Sequence, residues 1–184
     1  MVATPGGFEA SLLPWLVDRG DGPRLLGHCA RGNPIAEFAR NGPRALVIFD
    51  VADGYISPAW YPSVAEHGRA VPTWNYVTVH VQGRLRRRDD RSWLRNQIRA
   101  LTDKHEREME SPWSVSKAPE AWIESLMDGI VGLEVEVERV EGKAKLGQNR
   151  EALDIEGVLS AIEARPGFER LAAETRTRAS AGTR

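Results

Sequence analysis

The sequence predicts a mainly β domain of barrel type with a few helices packed outside it. Short apolar runs outnumber helical ones, several of them alternate apolar and polar residues with period two, and turn clusters separate them at hairpin-like spacings. Those three observations carry the prediction.

Residues 10–17 (Ala-Ser-Leu-Leu-Pro-Trp-Leu-Val) read as a strand, with Pro14 confining it to an edge or a bulge. A turn cluster runs from Asp18 to Pro23, and Arg24–His28 is a short strand. Asn33-Pro34 starts a short helix: Asn33 can accept from orphan amides as N-cap, and Pro34 suits the first helical position. That helix buries Ile35 and Phe38 and ends at Asn41-Gly42. Ala45–Phe49 is a continuous apolar run, consistent with a strand buried on both faces. Residues 55–76, dense in proline, tryptophan and tyrosine, are too apolar for a disordered loop and too irregular for a helix. From Val77 the alternation is strict. Val77, Val79 and Val81 point one way, while Thr78, His80 and Gln82 give the strand a wet or ligand-facing side.

Leu94, Ile98 and Leu101 fall at helical spacing, which makes 90–108 an amphipathic helix. A second helix from near Pro119 is expected to bury Trp122, Ile123 and Leu126 and to end by Gly129. Leu133, Val135 and Val137 then alternate with Glu134, Glu136 and Glu138, a strand with one core face and one solvated acidic face. Asp154 is positioned to cap a last helix through Val158, Leu159 and Ile162. The expected organisation is one domain over 1–165 and a polar, partly disordered tail over 166–184.

Length and composition narrow the function classes. A chain of 184 residues suffices for one domain with a sizeable core. A formal net charge of −1 gives no global electrostatic reason to bind nucleic acid or an anionic membrane. The single cysteine, Cys29, excludes an internal disulfide and fits a reducing compartment. No apolar run approaches the roughly 18 residues of a membrane span, and the first residues lack the pattern of a secretion signal. A cytoplasmic protein with no membrane partner is expected. There is no glycine-rich nucleotide turn, no paired-histidine or paired-cysteine metal motif and no nucleophile elbow. His28, His67, His80 and His105 are scattered, so no metal site is expected.

Four segments could carry chemistry. Gly27-His28-Cys29-Ala30-Arg31-Gly32-Asn33-Pro34 joins a strand end to a helix start, where free amides with His28 and Arg31 could hold a phosphate, or Asn33 could simply cap. Tyr55-Ile56-Ser57-Pro58-Ala59-Trp60-Tyr61 and Val71-Pro72-Thr73-Trp74-Asn75-Tyr76 place five aromatics beside Ser57, Thr73 and Asn75. A flat heteroaromatic ligand needs that mixture of apolar wall and placed polar groups; aromatic core packing is the alternative. Glu141–Arg150 crowds three cations and two amides into a Gly-flanked loop, to neutralise a phosphate, contact a partner subunit or face solvent. Arg84-Leu85-Arg86-Arg87-Arg88, followed by Asp89-Asp90, reads as a self-compensated strand end in preference to a DNA contact.

On these segments the chain resembles the PaiB-like, FMN-binding split-barrel proteins. The matching pieces are Gly-His-Cys-Ala-Arg-Gly-Asn-Pro at 27–34, Tyr-Ile-Ser-Pro-Ala-Trp-Tyr at 55–61, Val-Pro-Thr-Trp-Asn-Tyr at 71–76 and Lys-Leu-Gly-Gln-Asn-Arg at 145–150, in the family's order, and the likeness spans residues 2 to 162. The resemblance implies a split β-barrel with flanking helices that works as a homodimer, with FMN in clefts between subunits, and a role as a negative regulator of protease synthesis and sporulation. It places His28, Arg31 and Asn33 near the phosphate end. Ser57, Trp60, Tyr61, Thr73, Trp74 and Asn75 would surround the ring or ribityl chain, with Lys145, Gln148 and Asn149 closing the site. His28 and Tyr61 would be the candidate proton donors. The rivals it leaves open are an FMN-dependent oxidoreductase using a nicotinamide donor and a ligand-free DNA-binding regulator. Gly147 stands where the family usually has serine, and the chain begins at the family segment matching Val2–Leu13, so the barrel is expected to lack its N-terminal helix and part of its first strand.

Overall fold

The computed structural model describes residues 2–4 and 7–181. Among them the regular elements are β1 (Val2–Thr4), β2 (Gly7–Glu9), β3 (Leu16–Asp18), β4 (Arg24–Ala30), α1 (Pro34–Phe38), β5 (Arg44–Ile56), α2 (Val64–His67), β6 (Thr73–Arg88), α3 (Arg91–Glu106), α4 (Glu120–Met127), β7 (Ile130–Lys145), α5 (Ala152–Glu163) and α6 (Glu169–Ala181). The strands hydrogen-bond in the order β2-β1-β5-β6-β7-β4-β3. The fold is mainly β with flanking helices, of the split-barrel class that the sequence predicts. The chain forms two compact units, Met1–Val47 with Val81–Val140 and Ile48–His80 with Glu141–Arg184, and the long strands β5, β6 and β7 contribute to both.

In the first unit, β3 and β4 make a hairpin registered by Leu16↔Leu26 and Asp18↔Arg24. The expected strand over 10–17 is reduced to β3, because Pro14 and the residues around it form no ladder. β4 runs antiparallel to the first half of β7, pairing Leu25 with Val135 and Cys29 with Val131. Asp90 caps α3, its Oδ1 accepting from the Trp93 amide at 2.6 Å and the Ser92 hydroxyl at 2.7 Å. Leu94 and Leu101 on α3 are buried, and Leu94 packs with Val115, Ile123 and Met127. On α4 the buried stripe is Ile123 and Met127, four apart, while Trp122 is 54% exposed and Leu126 also faces out. The expected burial of Trp122 and Leu126 chose the wrong face of an apolar helix.

The acidic face expected on β7 is solvated at Glu136 and Glu138 but not at Glu134, and all three carboxylates are paired. Glu134 bonds Arg88 at 2.7 Å, Glu136 bonds Arg86 at 2.5 Å, and Glu138 lies 3.6 Å from Arg84 and 2.9 Å from Arg44. Each step of two residues along β6 meets a step of two in the opposite sense along β7, which is antiparallel register written in charge. Between the two rows, Gly83 lets the strands approach. A Cβ there would collide with the Glu136 carbonyl. The exposed pairs contribute little each. Glu134 differs, being only 2% exposed.

The core of the second unit gathers Ile56, Tyr61, Val77, Leu146, Val158, Leu159, Ile162, Leu171 and Ala172. α5 contributes Val158, Leu159 and Ile162 as expected, but its N-cap is Glu151 and not Asp154, which lies buried in the first turn. Gly157 brings α5 against the Trp60 carbonyl and Pro62, where a Cβ would clash. The segment expected as a polar, partly disordered tail holds helix α6 over Glu169–Ala181, and the last three residues lie outside the described part. Gly167, at φ 88°, turns the chain between α5 and α6. Leu171, Ala172 and Thr175 bury the stripe of α6, with the Thr175 hydroxyl donating to the Leu171 carbonyl at 2.8 Å.

Removing Arg88 strands the Glu134 carboxylate in the core. Arg88→Ala is expected to cost about 2–3 kcal/mol in urea unfolding, below the usual ~3–5 for a buried pair because Arg88 is 40% exposed. Adding Glu134→Gln should recover most of the loss, and a single variant as stable as the parent would refute the account. Asp90 supplies a pH signature. The Ser92 hydroxyl first, and then the Trp93 amide, hold its carboxyl below the ordinary value in the folded chain. Its cap is therefore fully present above the unfolded carboxylate value and fades as pH falls through the lowered folded value. Asp90→Asn keeps a cap and removes the titration. Thermal midpoints of parent and variant should run parallel near neutrality, the parent alone losing this contribution in acid.

Candidate functional site

The Gly27–Pro34 segment belongs to the first unit, and its polar groups are engaged. The His28 Nδ1–H donates to the Gln97 Oε1 at 2.8 Å. Arg31 donates from Nε to the Asp128 carbonyl at 2.8 Å and from Nη2 to the Ile130 carbonyl at 3.0 Å, and its amide donates to the Gly129 carbonyl at 2.8 Å. Asn33 Oδ1 accepts from the Ile35 amide at 2.9 Å, and its Nδ2 donates to the Ser11 hydroxyl at 2.9 Å. Of the two roles open to Asn33, the geometry displays the cap, and α1 has only five residues. Arg31 clamps the turn after β4 to the turn between α4 and β7.

The other expected residues lie in the second unit, divided by the period of β6. The odd positions face α5. Asn75 is 3% exposed, with its Oδ1 unpaired, on a small cavity shared with Tyr61, Leu146, Arg150, Asp154 and Thr175. Tyr61 is buried under the Arg150 guanidinium, 4.5 Å from its ring centroid. Burial pushes the phenol above its ordinary pKa, Arg150 draws it down and Asp154 pushes it up. Trp60 lies beneath Arg165 at 5.0 Å, and Ser57 caps the turn Pro58–Trp60 through the Ala59 amide at 3.3 Å. Asp154 accepts from the Ser63 amide at 3.1 Å and its hydroxyl at 2.8 Å, fixing the chain that follows Tyr61. Gln148 turns back on its own loop, accepting from the Leu146 amide at 2.8 Å and donating to the Ala144 carbonyl at 2.9 Å, while Asn149 is exposed. Lys145 Nζ donates to the Thr73 hydroxyl at 2.6 Å.

The even positions of β6 open onto a different surface. Trp74, Tyr76, Thr78 and His80 line a cleft of about 340 Å³ with Ile48, Asp50, Ala52 and Asp53 of β5. Trp74 is 52% exposed, and its indole N–H donates to Asp53 Oδ2 at 2.9 Å. The Thr78 hydroxyl lies 3.1 Å from the Phe49 carbonyl and 3.3 Å from Asp50 Oδ1. Sequence reasoning marked Trp74, counted Tyr76 among the aromatics, gave Thr78 and His80 to a wet or ligand-facing side, and passed over Asp50 and Asp53. The period-two signal was present for Thr78 and His80. Asp50 and Asp53 lay beyond the apolar run at which strand β5 was expected to stop.

Residues 1–139 match a family described as "Putative FMN-binding domain". The chain belongs to this family. Its flavin is FMN. The PaiB-like resemblance holds as well: "Protease synthase and sporulation protein PAI 2" of Bacillus subtilis is 31% identical over 141 residues, covering 76% of this chain and 64% of that protein. An uncharacterized protein of Saccharomyces cerevisiae is 40% identical over 104 residues, covering 54% of this chain and 61% of the relative. The chain thus spans less than two thirds of the length of these two relatives. A solved "putative 5-nitroimidazole antibiotic resistance protein" from Bacteroides thetaiotaomicron aligns with a TM-score of 0.50 at 13% identity, over 78% of this chain and 73% of that one. At that identity the likeness is one of fold. Among the described residues, no helix is long and apolar enough to cross a membrane.

The cleft residues fit the flat part of FMN. Trp74 and Tyr76 offer an aromatic wall, and Asp50, Asp53, Thr78 and His80 offer acceptors and donors around it. They do not fit its phosphate, since two carboxylates and no lysine or arginine line the cleft. A cation must come from beyond it.

Asn33→Ala removes the α1 cap and should destabilise the chain by about 1 kcal/mol in urea unfolding. FMN retention after desalting should not change. Loss of flavin at full stability would instead assign Asn33 to the phosphate.

Proposed function

We propose that this chain is a cytoplasmic FMN-binding regulator working as a homodimer, with the isoalloxazine ring on the open β5–β6 face. The observation that carries the reading is the Trp74–Tyr76 wall with hydrogen-bonding groups beside it, in a chain of an FMN-binding family. The ring presents an N–H donor and carbonyl acceptors along one edge. Asp50 or Asp53 can accept the first, and His80 can donate to the second. The phosphate falls to Lys145, held on Thr73 one residue from Trp74 and without a carboxylate partner among the described residues. FMN would supply the redox chemistry, or a redox-sensitive state, and the protein would hold and orient it. Ser57, Trp60, Tyr61, Asn75 and Gln148 serve the scaffold of the same unit, and His28, Arg31 and Asn33 are engaged within the first unit.

A cleft of this kind covers one face of a flat ring, and a second copy covering the other face is the natural complement. The regulatory part rests on similarity to the Bacillus subtilis protein, whose name ties it to protease synthesis and sporulation. Direct DNA binding through residues 84–88 is a poor match, because Arg84, Arg86, Arg87 and Arg88 each face a carboxylate.

The first test is FMN absorbance after desalting, with solution mass measured alongside. Trp74→Ala should weaken FMN binding by about tenfold, since stacking on one aromatic side chain is worth ~1–3 kcal/mol. Lys145→Ala should weaken FMN while leaving riboflavin binding unchanged. Full retention in Trp74→Ala would sink the placement of the ring. Anaerobic bleaching of bound flavin by a nicotinamide donor would favour the oxidoreductase.

A further inference from the structure

A second cleft in the same unit, of about 330 Å³, lies between the Gly147 turn, the start of α5 and the end of α6. Leu146, Gln148, Arg150, Ile155, Thr175 and Arg178 line it. It differs from the β5–β6 cleft in charge. Two guanidiniums face it and an apolar wall backs them. Arg150 is held in place by its stack on the buried Tyr61 ring and has no carboxylate within ion-pair distance among the described residues. A fixed cation of this kind loses little conformational freedom when it takes a ligand. Arg178 is half-neutralised by Glu174 at 2.6 Å.

The cleft has a polar floor. Leu146, Arg150, Ile155 and Thr175 also line the small cavity onto which Asn75 faces. That cavity, of about 10 Å³, has room for no more than one water. Asn75 Oδ1, buried and unpaired, calls for a donor that a water or a ligand group supplies from this side.

We propose that this cleft is a second binding site, for a small organic monoanion: a carboxylate with an apolar body. Arg150 takes the carboxylate as a two-pronged pair with Arg178 beside it, and Leu146 and Ile155 cover the apolar body. The charge balance selects a monoanion. Glu174 offsets one arginine, and Asp154, in the cavity beneath, adds a negative charge that repels a dianionic phosphate. None of the residues lining this cleft lines the β5–β6 cleft, so the two sites are lined by different side chains. A ligand held there lies against Leu146, Arg150, Ile155 and Thr175, which also line the small cavity of Tyr61 and Asn75.

The test is a titration of the full chain with sodium benzoate at constant ionic strength, read by amide and arginine Nε–H nuclear magnetic resonance signals. Saturable shifts are expected at Arg150, Arg178, Leu146 and Thr175. Arg150→Gln should weaken benzoate by about tenfold or more, the range of a charge-assisted hydrogen bond. Arg178→Gln should weaken it less, and it keeps the test open if loss of the Tyr61 stack unfolds the first variant. Inorganic phosphate should not compete. Unsaturable or absent shifts, or unchanged affinity in both variants, would overturn the proposal. Competition by phosphate or FMN would overturn it too, by giving the cleft to the flavin phosphate. Benzoate is read without flavin, so a chain that fails to retain FMN still answers this question.

Discussion

The pairing of β6 with β7 is the constraint on which most of the structure depends, and charge makes it specific. A slip of one residue would send Arg84, Arg86 and Arg88 toward the core and bring Leu85 to the surface. A slip of two would leave Glu134, the buried carboxylate, facing a different cation or none. Gly83 adds a steric condition, because a side chain there would collide with the Glu136 carbonyl. The exposed ion pairs are weak as sources of stability. As markers of register they matter more, since a slip of one residue breaks every pair in the row. In the strand's other half the same period of two separates Trp74, Tyr76, Thr78 and His80 from Asn75.

Much of this was legible in the sequence because its signals were local. Asn33-Pro34 announces a helix start through chemistry confined to two residues, Leu94, Ile98 and Leu101 announce a helix by their spacing, and the valines from Val77 announce a strand by alternation. The failures have one cause in common: the missing partner is far away in sequence. Glu134 reads as solvated because nothing beside it in the chain reveals the arginine some fifty positions earlier that accompanies it into the core. Asp154 reads as a cap because its real partner, Ser63, lies 91 residues away. α6 was missed for a different reason. Its buried stripe is made of one leucine, alanine and threonine, too weak a pattern to stand out against three arginines and two glutamates.

The candidate site shows the same division. Motif reading groups residues that are neighbours in the chain, so Thr73, Trp74 and Asn75 enter as one cluster. A strand sends neighbours to opposite faces. Trp74 joins Asp53 over an open cleft, and Asn75 joins Tyr61 and Arg150 against the helices. The second unit therefore offers two chemically distinct surfaces, one aromatic and acidic, the other apolar and cationic. Flavin-type rings suit the first and small organic anions the second.

The bond between Asp154 and Ser63 has a consequence for how the chain opens. One buried carboxylate in the first turn of α5 accepts both the amide and the hydroxyl of a residue in the aromatic segment. If α5 frays, that amide loses its acceptor and the segment loses its anchor. If the segment swings out, a desolvated charge is left in the helix. The two therefore open as one cooperative unit, and the hydrogen-exchange protection of the Ser63 amide reports the integrity of a helix in which it does not itself lie.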